Sequence, residues 1–139
     1  MSTSASSRPK SVTLLMLGVL SIAGFNLVRF VQTLRLWQFL VALPMDHPYY
    51  LASSGLIWGI VGAALAWGLW RGHFWALRSF SIFALAYSLY YWIDRLWMSA
   101  EAGQANIAFA LGLNGFLILM AVWLSSRPAV RAYFGEKHE

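Results

Sequence analysis

The sequence predicts an all-α integral membrane fold, an antiparallel four-helix bundle whose first helix is long and extends beyond or along the outer membrane surface. Three observations predict it. First, 60% of the 139 residues are apolar and only 11% are charged, against about 45–50% and roughly 25% in a soluble domain. Second, the apolar residues gather in four continuous stretches, each near the roughly 20 helical residues that a hydrocarbon layer about 30 Å thick requires. Third, the connectors between these stretches are short, so successive helices are antiparallel neighbours. Disorder is excluded by the wealth of aromatics. A membrane β-barrel is excluded because its strands would be about 10 residues long and would alternate in polarity.

The elements follow in order. Residues 1–10 (MSTSASSRPK) are small, polar and basic and read as a cytoplasmic tail. Residues 11–125 read as one transmembrane domain with spans at about 12–31, 50–70, 75–98 and 105–124, and residues 126–139 as a second cytoplasmic tail. The basic start followed by an apolar run has the outline of a signal peptide, but lacks a small-x-small cleavage site. It is therefore expected to remain as the first span. From Ser11 to Leu43 there is no proline or turn signal, and NLVRFVQTLRLWQFL places Asn26, Arg29, Gln32, Thr33 and Arg35 in one polar sector. Such spacing is that of an amphipathic helix. Helix 1 then either projects past the hydrocarbon or bends into an interfacial helix over residues 32–43. Span 2 carries no charge, span 3 holds Arg78 near its start and Asp94 and Arg95 near its end, and span 4 holds Asn106 and Asn114. In the closing segment, a short helix would turn Val130, Tyr133 and Phe134 toward lipid and Arg127 and Arg131 toward anionic headgroups; a partner-binding tail is the rival reading.

Charge sets the expected orientation. Arg8, Lys10, Arg71, Arg78, Arg127, Arg131 and Lys137 fall on one side, and Arg29, Arg35 and Arg95 on the other with Asp46, Asp94 and Glu101. Basic flanks stay in the cytoplasm, so both termini are expected there. The net charge of +5 has this origin, and no basic face on a soluble surface suggests nucleic acid as a partner. Trp and Tyr near both ends of the spans suit membrane anchoring at headgroup level.

The candidate site is a polar layer about one turn below the outer surface: Asn26, Arg29, Tyr87, Tyr90, Tyr91 and Asp94, with Tyr50 and Asn106 at the same depth. Tyr87, Tyr91 and Asp94 are spaced i, i+4, i+7 and share one helix face. Ionisable groups inside a span pair with one another or line a cavity. The layer is thus either an outward-facing pocket for a small ligand or an interhelical ion pair with tyrosine hydrogen bonds, Arg29 snorkelling to the headgroups. A second set consists of small residues: Gly55, Gly59 and Ala63 on span 2, beside Gly62 and Ala66, and Ala105, Ala108, Gly112 and Gly115 on span 4. Small residues let helix backbones approach closely, either within this bundle or between it and a partner. Asn114, near the middle of span 4, is expected to hydrogen-bond across helices.

Reactive constellations are not found in the sequence. Its three histidines, His47, His73 and His138, lie outside the spans, where no buried bis-histidine haem can form. There is no cysteine, no lysine within a span, no carboxylate at the membrane centre, and no HExxH, GxSxG or phosphate loop. Asp46 and His47 are adjacent on a short connector, which suits a solvated turn better than a metal site. No cofactor and no catalysis are expected.

RPKSVTLL at 8–15, WGLWRGHFWA at 67–76, LYYWIDRL at 89–96 and SRPAVRAYFG at 126–135 resemble a family of small bacterial four-span integral membrane proteins with no established function. The resemblance spans nearly the whole chain through Trp-rich, hydrophobic motifs. It implies a location in the bacterial plasma membrane and no particular chemistry. The expected role is that of a non-catalytic membrane protein, an accessory or structural subunit of a larger membrane complex or a self-associating homo-oligomer in the lipid bilayer. The alternative is an oligomeric small-molecule carrier or channel, or a small-ligand binder using the outer polar layer.

Overall fold

A computed structural model describes residues 8–43, 47–98 and 107–135. All regular structure among them is helical: α1 (Lys10–Arg35), α2 (Trp37–Ala42), α3 (Pro48–Arg71), α4 (Phe74–Ile93), α5 (Ile107–Ser125) and α6 (Pro128–Gly135), with a π-helical turn, Asp94–Met98, continuing α4. Three of these, α1, α3 and α5, are long and apolar enough to cross a membrane. Helix α4 has sufficient length at 20 residues. Its sequence is more polar, because Arg78, three serines and three tyrosines dilute its aliphatic residues.

The closest packing joins α1 to α3. Helix α3 turns Ala52, Gly55, Gly59, Gly62, Ala66 and Leu69 inward, alternating steps of three and four residues, the repeat of left-handed helix pairs. Helix α1 answers with Val12, Leu15, Val19, Ala23, Asn26 and Thr33. Glycine is needed where the backbones nearly touch. A Cβ on Gly55 would lie 2.9 Å from the Asn26 carbonyl oxygen and 3.1 Å from the Phe30 nitrogen. On Gly62 it would meet the Ala23 Cβ at 2.9 Å. Ala63 does not join this ladder: it is exposed, because steps of three and four lead from Gly59 to Gly62 and Ala66 and pass it by.

Helix α3 ends at Gly72, whose φ of 71° is left-handed. The His73 N–H bonds the Gly68 carbonyl and the Gly72 N–H that of Leu69, the paired closure typical of a glycine-ended helix. This turn starts α4 two residues later, close enough for the Trp75 ring to pack on Gly68. Helix α4 then lays Ala76, Phe80 and Phe83 into the core formed with Val12, Leu15, Val19, Leu65 and Leu69.

Helix 1 neither runs unbroken to residue 43 nor stops at 31. It ends at Arg35, and Leu36 (φ −99°, ψ 14°) separates it from the short α2. The rings of Trp37 and Tyr49 meet edge-on at 4.8 Å, tying α2 to the start of α3.

Helix α6 corrects an expectation. It forms where a helix was predicted, yet Val130, Tyr133 and Phe134 do not face lipid; they are buried at 0%, 6% and 4% exposure against the core. Helix α6, within the stretch expected to be a C-terminal tail, therefore closes the end of the bundle where α1 begins and α3 ends. Tyr133 Oη reaches the Trp70 carbonyl at 3.5 Å, and Arg8 Nη2 donates to the same oxygen at 3.2 Å. Burial of three large side chains outweighs exposure to lipid here because a packed protein interior offers more close atomic contacts than mobile acyl chains do.

Candidate polar layer at the far end of the bundle

The opposite end is built around one carboxylate. Asp94 stands where α4 passes into its π-helical turn, a distortion that widens the helix and often accompanies functional sites. From α1, Arg29 Nη2 donates to Asp94 Oδ1 at 3.3 Å and Arg29 Nη1 to Tyr90 Oη at 3.0 Å. From α3, Tyr50 Oη donates to the same Asp94 Oδ1 at 2.9 Å. One oxygen thus links three helices. The two charged side chains are 23% and 21% exposed, so their attraction is neither fully screened by water nor burdened by full desolvation.

One turn deeper, Asn26 Nδ2 donates to the Ile22 carbonyl at 2.8 Å and to Tyr87 Oη at 3.2 Å. Asn26 is 1% exposed, and its Oδ1 is buried without a hydrogen-bond partner among the described residues. Below it lies an aromatic cluster on Trp58 of α3. Its ring meets Tyr87 at 5.1 Å, Tyr90 at 5.3 Å and Phe83 at 5.6 Å, spacings at which edge-on and tilted rings attract.

The inward stripe of α4 is therefore Ala76, Phe80, Phe83, Tyr87, Tyr90 and Asp94, again in alternating steps of four and three. Five predicted residues meet in one network: Asn26, Arg29, Tyr87, Tyr90 and Asp94, together with Tyr50. Tyr91 does not. Its Oη accepts from Arg95 Nη1 at 3.1 Å and its ring meets Trp92. Steps of three and four from Asp94 both return to the same side of a helix, and Tyr90 occupies the inward position. Asn106, Asp46 and Ala105 lie outside the described residues. Trp58 was not predicted; its signal is a tryptophan in mid-span, far from the headgroup levels that account for the other indoles.

Between α4 and α5, Ser88 Oγ donates to Asn114 Oδ1 at 2.8 Å. Ser88 was likewise missed, since a lone serine in an apolar stretch carries no distinctive pattern. Among the described residues, the remaining predicted packing residues on α5 meet little. Ala108 and Gly112 are exposed, and a Cβ on Gly112 or Gly115 would meet nothing within 4 Å. The physical reason is that Ile118, Ala121 and Leu124, on another side of α5, supply its contacts to α4, α6 and the core.

Chemically, the layer can hold three helices in register and fix the charge of Arg29 and Asp94 against each other. No protein family, curated protein or solved structure matches the chain.

Proposed function

We propose that this chain is a non-catalytic, four-span protein of the bacterial plasma membrane, with α1, α3, α4 and α5 as the spans and both termini in the cytoplasm, and that it serves as a subunit of a membrane assembly. The observation that carries the assembly role is the state of α5. Only 11% of its most apolar stretch is buried, while the face bearing Ala108, Gly112 and Gly115 is open. A helix with small residues on a free face lets a second membrane helix approach to backbone contact. The α1–α3 pair illustrates that mode of packing inside this same chain.

The polar layer supports the non-catalytic half of the reading. Arg29, Asp94, Tyr50 and Tyr90 engage one another across α1, α3 and α4, which favours a clamp over an open pocket. Charge supports the orientation. Arg8, Lys10, Arg71, Arg78, Arg127 and Arg131 lie at the end closed by α6, whereas Arg29, Asp94 and Arg95 lie at the other, the distribution expected when the α6 end is cytoplasmic.

Affinity purification from native membranes in mild detergent, followed by mass measurement of the intact complex, tests the role. The expected result is an assembly larger than the 15.6 kDa chain, either of several copies or of this chain with other membrane proteins. A chain that always runs alone overturns it.

A further inference from the structure

The end of the bundle closed by α6 carries a feature that the assembly role does not use. Between α4 and α5 lies a cavity of about 90 Å³, lined by Phe80, Ala84, Leu85, Ile118, Ala121 and Val122, with Ser81 and Ser125 at its rim. The walls are almost wholly apolar, and the space is open along its side. The Ser88–Asn114 hydrogen bond joins the same two helices one turn beyond Leu85. It has room for a short length of hydrocarbon chain and offers nothing to bind a polar solute.

Toward the start of α4 the lining face continues to a cation. Arg78 continues the stripe Ser81, Leu85 and Ser88 one step toward the start of α4, so it shares the helix face that turns to α5. The Arg78 guanidinium sits 5.0 Å from the Phe74 ring centre. Arg127 stacks at 3.9 Å on Trp123, on the side of α5 turned away from Ile118, Ala121 and Ser125. Stacking of this kind holds a guanidinium in place while leaving its N–H edge available. Among the described residues, neither Arg78 nor Arg127 is in an ion pair, and the sole carboxylate side chain is that of Asp94, at the opposite end.

We propose that this end of the molecule is a binding site for an anionic phospholipid, with one acyl chain lying in the α4–α5 groove and the headgroup phosphate held by Arg78. An apolar channel ending at a fixed guanidinium group matches the two halves of such a molecule. Guanidinium is suited to the phosphate because its planar N–H fork pairs with two phosphate oxygens at once. Basic clefts between helices on the cytoplasmic side are a recurrent location for anionic headgroups. The site depends on the chain spanning the membrane; it is independent of whether α5 binds a partner.

Native mass spectrometry and thermal unfolding of the purified full chain, in nanodiscs of phosphatidylcholine with or without phosphatidylglycerol, test the proposal. The expected result is a discrete phosphatidylglycerol adduct and a higher melting temperature in its presence, with no matching effect of phosphatidylcholine or of millimolar inorganic phosphate. Arg78→Gln should weaken the adduct at least tenfold. Ala84→Phe, which fills the groove and leaves every charge in place, should do the same. Arg35→Gln, at the other end, should leave it intact. Equal retention of both lipids, or an adduct that survives both the arginine and the groove variants, overturns the site. Stabilisation by inorganic phosphate alone also overturns it, since the groove would then contribute nothing. The same spectra report the number of copies or partners separately from the lipid mass, so failure of the lipid site and failure of the assembly role are read apart.

Discussion

At the scale of single residues, Asp94 Oδ1 has two donors from two helices, Arg29 and Tyr50, and this sharing decides what substitution should do. Asp94→Asn removes the charge that both interactions use and should cost roughly 1–3 kcal/mol, the range for hydrogen bonds to charged groups. Arg29→Gln in that background should restore part of the loss, because it removes the cation left without its counter-ion. Chemical unfolding of the two single variants and the double variant checks this; a coupling energy of about 1 kcal/mol or more is expected, and strictly additive effects contradict a working ion pair. Tyr50→Phe should cost less, about 1 kcal/mol. The pairing of Arg29 with Asp94 was legible in the sequence because so few charges occupy the spans, and antiparallel helices bring those two to one depth. The choice between Tyr90 and Tyr91 was not. Both lie one turn from Asp94, and only the position of the whole inward stripe of α4 separates them.

At the scale of elements, the glycines of α3 and α5 make opposite predictions. Gly55→Ala places a methyl group 2.9 Å from a backbone oxygen of α1, an atom that cannot move without shifting its helix. The expected cost is about 1–3 kcal/mol, as for overpacking in a dense interior. Gly59→Ala should be milder, since the obstacle is the end of the Leu27 side chain at 2.6 Å. Gly112→Ala and Gly115→Ala meet open space and should leave the isolated chain unharmed, or more stable by up to about 1 kcal/mol through helix propensity. Thermal melts of the four variants in one detergent check the ordering. Helix α6 gives a further prediction. Phe134 is 4% exposed, and Phe134→Ala should cost about 3–5 kcal/mol and loosen the α6 end, read as faster proteolysis between residues 126 and 135. The helical nature of α6 was legible from its amphipathic spacing. Its destination was not, because an apolar stripe of Val130, Tyr133 and Phe134 suits a lipid surface and a protein surface equally, and only tertiary packing distinguishes them.

At the scale of the whole molecule, two unlike ends and one open flank define the account. One end is closed by α6 and ringed by arginine; the other is clamped by Asp94; α5 is the least buried of the three most apolar helices. The helical class was readable from the length of the apolar runs. Which small residues pack inside the chain was not, because Gly55 and Gly112 look alike in sequence and differ only in what stands opposite them. That difference is the basis for assigning α5 to a partner. The chain contains no cysteine, so single cysteines can be placed without background. Ala108→Cys, Gly112→Cys and Gly115→Cys, each labelled with a benzophenone maleimide and illuminated in native membranes, examine the open face of α5 directly, with Ala64→Cys on the exposed side of α3 as the reference. The account predicts a discrete covalent product of higher mass from the α5 positions and none from position 64. Recovery of the chain at its own mass from every α5 position would contradict it.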